Sequence, residues 1–131
     1  MDQISNMLST IKNASMVGKK SIEFDYSKLK EEIAQVLKEG GFLSEVKVFK
    51  EKDSSIKKLR LDISYDEEEG SKITEIRRIS KPGRRVYLGY SEIRPVAANM
   101  GFLVMSTSRG VMTSTDARKK KLGGEVICRV Y

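Results

Sequence analysis

Histidine is absent from all 131 residues, and only one cysteine, Cys128, is present. Without an imidazole there is no Ser-His-Asp or Cys-His pair to activate a nucleophile. One thiol and no imidazole leave too few soft donors for a zinc site. One thiol also cannot close an internal disulfide, which suits a reducing, cytoplasmic setting. Only two prolines, in a composition 39% hydrophobic and 33% charged, point to a folded chain rather than a disordered one. Long apolar runs are missing too. Stretches such as Phe102 to Met105 fall far short of a bilayer span, and no basic segment followed by an apolar stretch opens the chain as a secretory signal would. Neither GxxxxGK[ST] nor GxGxxG occurs, so no nucleotide fingerprint is present. Serines and lysines are plentiful, but no spacing singles out a Ser-Lys dyad. Neither an enzyme, a cofactor nor a metal is expected.

Acid is scarce in one half only. Residues 1–71 hold 12 bases and 14 acids, whereas residues 72–131 hold 13 bases and 4 acids, a net of −2 against +9. A basic half on a chain the size of one domain or two small lobes implies a polyanionic partner.

The apolar spacing gives the elements. Ile4, Met7, Leu8 and Ile11 form one helical stripe behind Asp2 as N-cap. "SIEFD" alternates as a strand through Ile22 and Phe24. Ser27 caps a second helix with Leu29, Ile33, Val36 and Leu37 on one face, stopped by Gly40-Gly41. "FLSEVKVFK" and "KKLRLDISY" alternate on either side of the turn "EKDSS", so they form a hairpin. "DEEEG" at 66–70 marks a boundary, predicting lobes at 1–69 and 70–131. In the second lobe, Ile73, Ile76 and Ile79 precede a Pro82-Gly83 turn and favour a strand. Ser91 is expected to open a short helix, "SEIRPVAANM", that stops near Gly101. "GFLVMS" is a buried strand, "TSRG" a turn, and "VMT" extended. Ser114 or Thr115 caps a basic helix, "DARKKK", and Gly123-Gly124 leads into a last strand, "EVICRVY". Alternation there places Cys128 on one face with Val126 and Val130, as a buried thiol. The fold class is α+β, with an N-terminal α-β-α-β-β lobe and a mostly antiparallel β C-terminal lobe with short helices.

The chemistry left open is that of a binding surface. Residues 106–131 carry seven hydroxyl side chains, six bases and three glycines. Ser106, Thr107, Ser108 and Gly110 form a turn whose hydroxyls can meet phosphate and ribose oxygens. Gly123 and Gly124 allow close approach at a second turn. Tyr87 can stack on a base or sugar. Lys81, Arg84 and Arg85 around the Pro-Gly turn, and Arg118, Lys119, Lys120 and Lys121, can follow a phosphate backbone. No basic helix of normal length is available to read a DNA major groove, while A-form RNA can be read by loops.

These segments carry a resemblance. "STSRGVMTSTDARKKKLGGEVICRVY", with its "STS-x-GVMT", "AR" and "GGE-x-x-C", resembles the bacterial small-subunit ribosomal protein S-eight family. "ISKPGRRVY" at 79–87, "DQISNMLSTIKNA" at 2–14 and "GGFL" after the second helix are similar as well. The resemblance implies a non-enzymatic protein of the small ribosomal subunit that binds the central domain of its rRNA directly and early in assembly, among neighbouring ribosomal proteins. By motif it implies RNA contacts at Ser106, Thr107, Ser108, Gly110, Gly124, Glu125 and Tyr87. It also implies, for some members, repression of their own operon through an mRNA site that mimics the rRNA site. Neither a membrane nor DNA is an expected partner. The alternatives are a non-ribosomal cytoplasmic RNA-binding module or RNA chaperone, and an enzyme acting on phosphorylated substrates.

Overall fold

A computed structural model describes residues 2–68, 70–97 and 100–131. The elements run in the order α1 (Gln3–Met16), β1 (Ser21–Asp25), α2 (Lys28–Glu39), β2 (Leu43–Lys50), β3 (Lys57–Ile63), β4 (Tyr65–Asp66), β5 (Gly70–Ser71), β6 (Ile76–Arg78), β7 (Tyr87–Leu88), a 3-10 turn (Tyr90–Glu92), β8 (Phe102–Thr107), β9 (Gly110–Thr113), α3 (Ser114–Lys119) and β10 (Gly124–Val130). This is the α+β order α-β-α-β-β followed by mostly antiparallel strands. The chain divides into two compact units, residues 9–72 and residues 1–8 with 73–131.

In the unit of residues 9–72, β1, β3 and β2 pair in that order, all antiparallel. Leu59, Leu61 and Ile63 alternate along β3 and are fully or nearly fully buried, because every second side chain of a strand shares a face. Helix α2 packs on β2. The Ser27 hydroxyl accepts from the Lys30 N–H at 3.1 Å and caps it. At the other end Gly41, at φ +87, lets the Gly41 N–H reach the Lys38 carbonyl and the Phe42 N–H reach the Leu37 carbonyl, the paired closure of a Schellman motif. Leu29, expected on the buried face, is 42% exposed. Lys30 lies there instead, its stem covered and its Nζ donating to the Asp25 carbonyl at 3.3 Å, a snorkelling arrangement that an apolar stripe does not reveal. Tyr65 leaves the β3 alternation at Ser64 and donates to the carbonyls of Ala14 and Lys19.

In the unit of residues 1–8 and 73–131 the sheet order is β6-β10-β8-β9, with β7 also pairing β10. Strands β6 and β7 are two parts of one edge against β10: Arg78 pairs Cys128 and Tyr87 pairs Glu125. Between them the chain leaves the ladder as a small hairpin closed by Lys81 and Arg84, whose N–H and carbonyl groups bond each other at 3.0 and 2.9 Å. Gly83, at φ +81, takes the position after Pro82 that a type II turn requires. Against β8, β10 carries a bulge: Val126 pairs Met105 but Cys128 pairs Val104. Adjacent residues of β8 face opposite ways, so the bulge sends Val126 and Cys128 to opposite faces. Simple alternation would place them together. Both faces are covered, so Val126, Ile127 and Cys128 are all buried. On one face Met105, Met112, Val126 and Ile93 form a core with Ala117 of α3. On the other, Asp2 binds Arg78 at 3.1 Å, and Arg78 donates to the Ile127 carbonyl.

Two further boundaries differ from the sequence reading. The helix expected over residues 91–100 is a single 3-10 turn, Tyr90–Glu92. Pro95 lacks the N–H that a helix would use and drives Arg94 away from helical angles. Residues 98 and 99 of that expected helix, and Glu69 of the acidic boundary, lie outside the described residues. The cap of α3 is Thr113, whose hydroxyl accepts from the Asp116 N–H at 3.1 Å. Ser114 is buried instead, its hydroxyl accepting from the Leu103 N–H at 2.9 Å.

Candidate nucleic-acid interface

Antiparallel register assembles the candidate residues. Glu125 at the start of β10 pairs Tyr87 on one side and Ser106 on the other. Directly opposed residues share a face, so Tyr87, Glu125 and Ser106 stand in one row across three strands. Tyr87 is 66% exposed. Next to this row, Gly124 pairs both Leu88 and Thr107. A Cβ on Gly124 would collide with the Ser106 carbonyl, and one on Gly123 would stand 2.8 Å from the Leu88 carbonyl oxygen. The two glycines thus let β10 enter between its neighbours, a demand made by the sheet itself.

The hairpin from β8 to β9 turns over Ser108 and Arg109, both exposed. Only Gly110 takes a positive φ there, +111, which a side chain would oppose. The Thr107 hydroxyl is committed to the turn: it donates to the Gly110 carbonyl at 2.8 Å and accepts from the Arg109 N–H at 3.2 Å. The Ser106 and Ser108 hydroxyls have no hydrogen-bond partner among the described residues, so their donors and acceptors face outward.

Glu125 explains its own place beside so many bases. Its Oε2 accepts from the Ser80 hydroxyl at 2.9 Å and from Arg85 Nη1 at 3.2 Å. Ser80 is fully buried and also accepts from the Val86 N–H at 2.8 Å. The carboxylate therefore ties β10 to both ends of the Lys81–Arg84 hairpin, and its charge is matched by Arg85. Sequence reasoning did not find Ser80, which stands 45 positions from Glu125. Lys81 and Arg84 are exposed on that hairpin and, with Arg77 and Arg78, line a shallow cleft of about 260 Å³.

The structure does not bring the bases of α3 into the row. Ala117 packs on the Met105–Val126 face, so α3 lies on the opposite side of the sheet from Tyr87, Glu125 and Ser106. Arg118 and Lys119 border a separate cleft there. Lys120 caps α3, and Lys121, at φ +56, starts the loop that enters β10. Among the described residues no group of Asp, Glu or Cys converges to hold a metal ion, and no helix is long and apolar enough to cross a membrane.

Comparison with known proteins finds relatives over nearly the whole chain. The family described as Ribosomal protein S8 matches residues 2–131. The small ribosomal subunit protein uS8 of Thermodesulfovibrio yellowstonii is 42% identical over 130 residues, covering 99% of this chain and 98% of the relative. The uS8 proteins of Geobacter metallireducens and Caldicellulosiruptor bescii are 42% and 40% identical over 130 and 131 residues, with 97% and 98% of each relative covered. The chain belongs to the ribosomal protein S8 family.

Proposed function

We propose that this chain is a structural protein of the small ribosomal subunit, not an enzyme, and that it binds small-subunit rRNA through the Tyr87–Glu125–Ser106 row and the Ser108–Arg109 turn. The observation that carries this reading is the row itself. An exposed aromatic, a charge-balanced carboxylate and two outward hydroxyls lie together on one sheet end. Such groups suit a sugar edge or base edge better than a phosphate alone. Arg109, Lys81 and Arg84 supply cations along the flanks, with Arg85 held by Glu125 and Lys120 and Lys121 beside the entry to β10. Glu125 acts mainly by fixing the hairpin, with its remaining acceptor capacity open to a ribose hydroxyl or a base amino group. The family resemblance adds the central domain as the rRNA region, early and direct binding, and neighbouring ribosomal proteins as partners. The same surface would serve for an mRNA site of like shape, and so for repression of the protein's own operon.

Chemical footprinting tests the reading. Added to deproteinised small-subunit rRNA, the chain should protect one compact region of the central domain. It should also sediment stoichiometrically with small subunits. Protection scattered along the RNA, or absence from small subunits, would instead favour a non-ribosomal RNA-binding module.

A further inference from the structure

A second concave surface lies on the sheet face away from the row. It opens between residues 93–96 with Gly101 on one side and α3 on the other, and has a volume of about 380 Å³. Ile93 and Val96 are buried at its base and Pro95 is exposed beside them. Arg94, Arg118 and Lys119 stand exposed around it. Among the described residues no acid lines the cleft, and these three cations make no ion pair. Three unmatched cations around an aliphatic floor specify an occupant that is both anionic and apolar.

We infer that this cleft docks a peptide segment of another protein that carries carboxylates beside an aliphatic side chain. RNA fits it poorly. No aromatic lines the cleft, so a base has no platform to stack on. A phosphate backbone would satisfy the three cations but leave Ile93, Pro95 and Val96 against a hydrated polyanion, with no apolar surface exchanged. An aliphatic side chain seated on that floor, with acids facing Arg94, Arg118 and Lys119, matches both parts. The cleft and the Tyr87–Glu125–Ser106 row occupy opposite sheet faces, so the peptide and RNA can be held together. The inference stands apart from the RNA reading and assigns Arg118 and Lys119 a different partner from the one their sequence suggests.

The test uses the full chain, tethered by its N-terminus, and a phage-displayed library of random heptapeptides. Enriched peptides should pair Asp or Glu with Leu, Ile or Val. Their affinity should fall about tenfold or more for the Arg94→Glu, Arg118→Glu double variant, because two attractive charges become repulsive. No enrichment, enrichment of peptides without acids, or equal binding to the double variant would overturn the inference. Both arginines are exposed, so thermal melting should not change; if the charge reversals unfold the chain, the Arg94→Gln, Arg118→Gln pair carries the same comparison. That neutral pair also distinguishes RNA as occupant. Its salt slope for small-subunit rRNA should equal that of the parent, whereas a slope shallower by about two would give the cleft to phosphates and reject the peptide.

Discussion

Thr107 and Ser108 are neighbours in one turn with opposite commitments. The Thr107 hydroxyl closes the turn through Gly110 and Arg109, whereas Ser108 spends no hydrogen bond within the described residues and is exposed. Ser108→Ala should therefore leave thermal stability unchanged. If its hydroxyl meets RNA in a desolvated contact, the loss of about 1–3 kcal/mol weakens binding by about 5- to 150-fold. Affinity and melting temperature measured on the same protein separate the roles: a lower melting temperature with full affinity would assign Ser108 to folding. A second residue-scale effect belongs to Asp2. Burial alone would raise its carboxyl, but hydrogen bonds from Ser5 and Arg78 and the guanidinium charge bring it from the usual 3.8 down to about 2. A depressed carboxylate stabilises the fold above its unfolded value, and that contribution is lost as pH falls through about 2. Asp2→Asn should lower the melting temperature at neutral pH, and the gap to the parent should close as pH falls from about 4 to about 2. A gap independent of pH would show that the ion pair is not its source. Cys128 was legible as a buried thiol from its apolar neighbours, and burial pushes it up to about 12. Its face was not legible, because a bulge leaves no mark on an alternating pattern.

Elements were readable where the stop signal is local. Gly40-Gly41 ends α2 because Gly41 supplies the positive φ within the same few residues. The hairpin of β2 and β3 follows from two alternating runs around a polar turn. Readability failed where the deciding partner lies far along the chain or one residue away. Thr113, Ser114 and Thr115 all offer a capping hydroxyl, and the Leu103 N–H decides by claiming Ser114. The expected helix beyond Ser91 ignored Pro95. The row of Tyr87, Glu125 and Ser106 was named residue by residue from the family motif, but its alignment required the register of three strands. The Lys81–Arg84 hairpin shows the same limit, since its closure depends on Ser80, Val86 and Glu125 meeting. Ser80→Ala leaves the half-buried Val86 N–H without its acceptor and removes one of the two donors to Glu125. It should destabilise the chain by about 1–3 kcal/mol, read by denaturant titration. It should also weaken RNA binding, because Tyr87 follows directly from Val86. Unchanged stability would show that the hairpin closes without Ser80.

At the scale of the whole molecule, charge follows the compact units more sharply than it follows the halves of the sequence. Residues 9–72 hold 13 bases and 13 acids and are neutral; residues 1–8 with 73–131 hold 12 bases and 5 acids and carry the entire net charge of +7. The unit with the Tyr87–Glu125–Ser106 row is thus the unit with the field. A polyanion bound there releases condensed counterions as its phosphates are neutralised, and each contact steepens the fall of affinity with salt. Not every base counts. Arg78 is held by Asp2, Arg85 by Glu125, and Arg94, Arg118 and Lys119 surround the cleft on the other face. Arg129 lies over the Tyr131 ring at 5.3 Å, so the bases left to meet a phosphate backbone are Arg77, Lys81, Arg84, Arg109, Lys120 and Lys121, all exposed. With about 4–6 of these at phosphates, the log–log slope of affinity for small-subunit rRNA against salt should lie near −3 to −6. Arg84→Ala should make it shallower by about one, whereas Ser106→Ala should lower affinity at every salt concentration and leave the slope intact. A slope near zero in the parent would remove electrostatics from the interface. A slope that changes with Ser106 but not with Arg84 would move the phosphate contacts away from the hairpin.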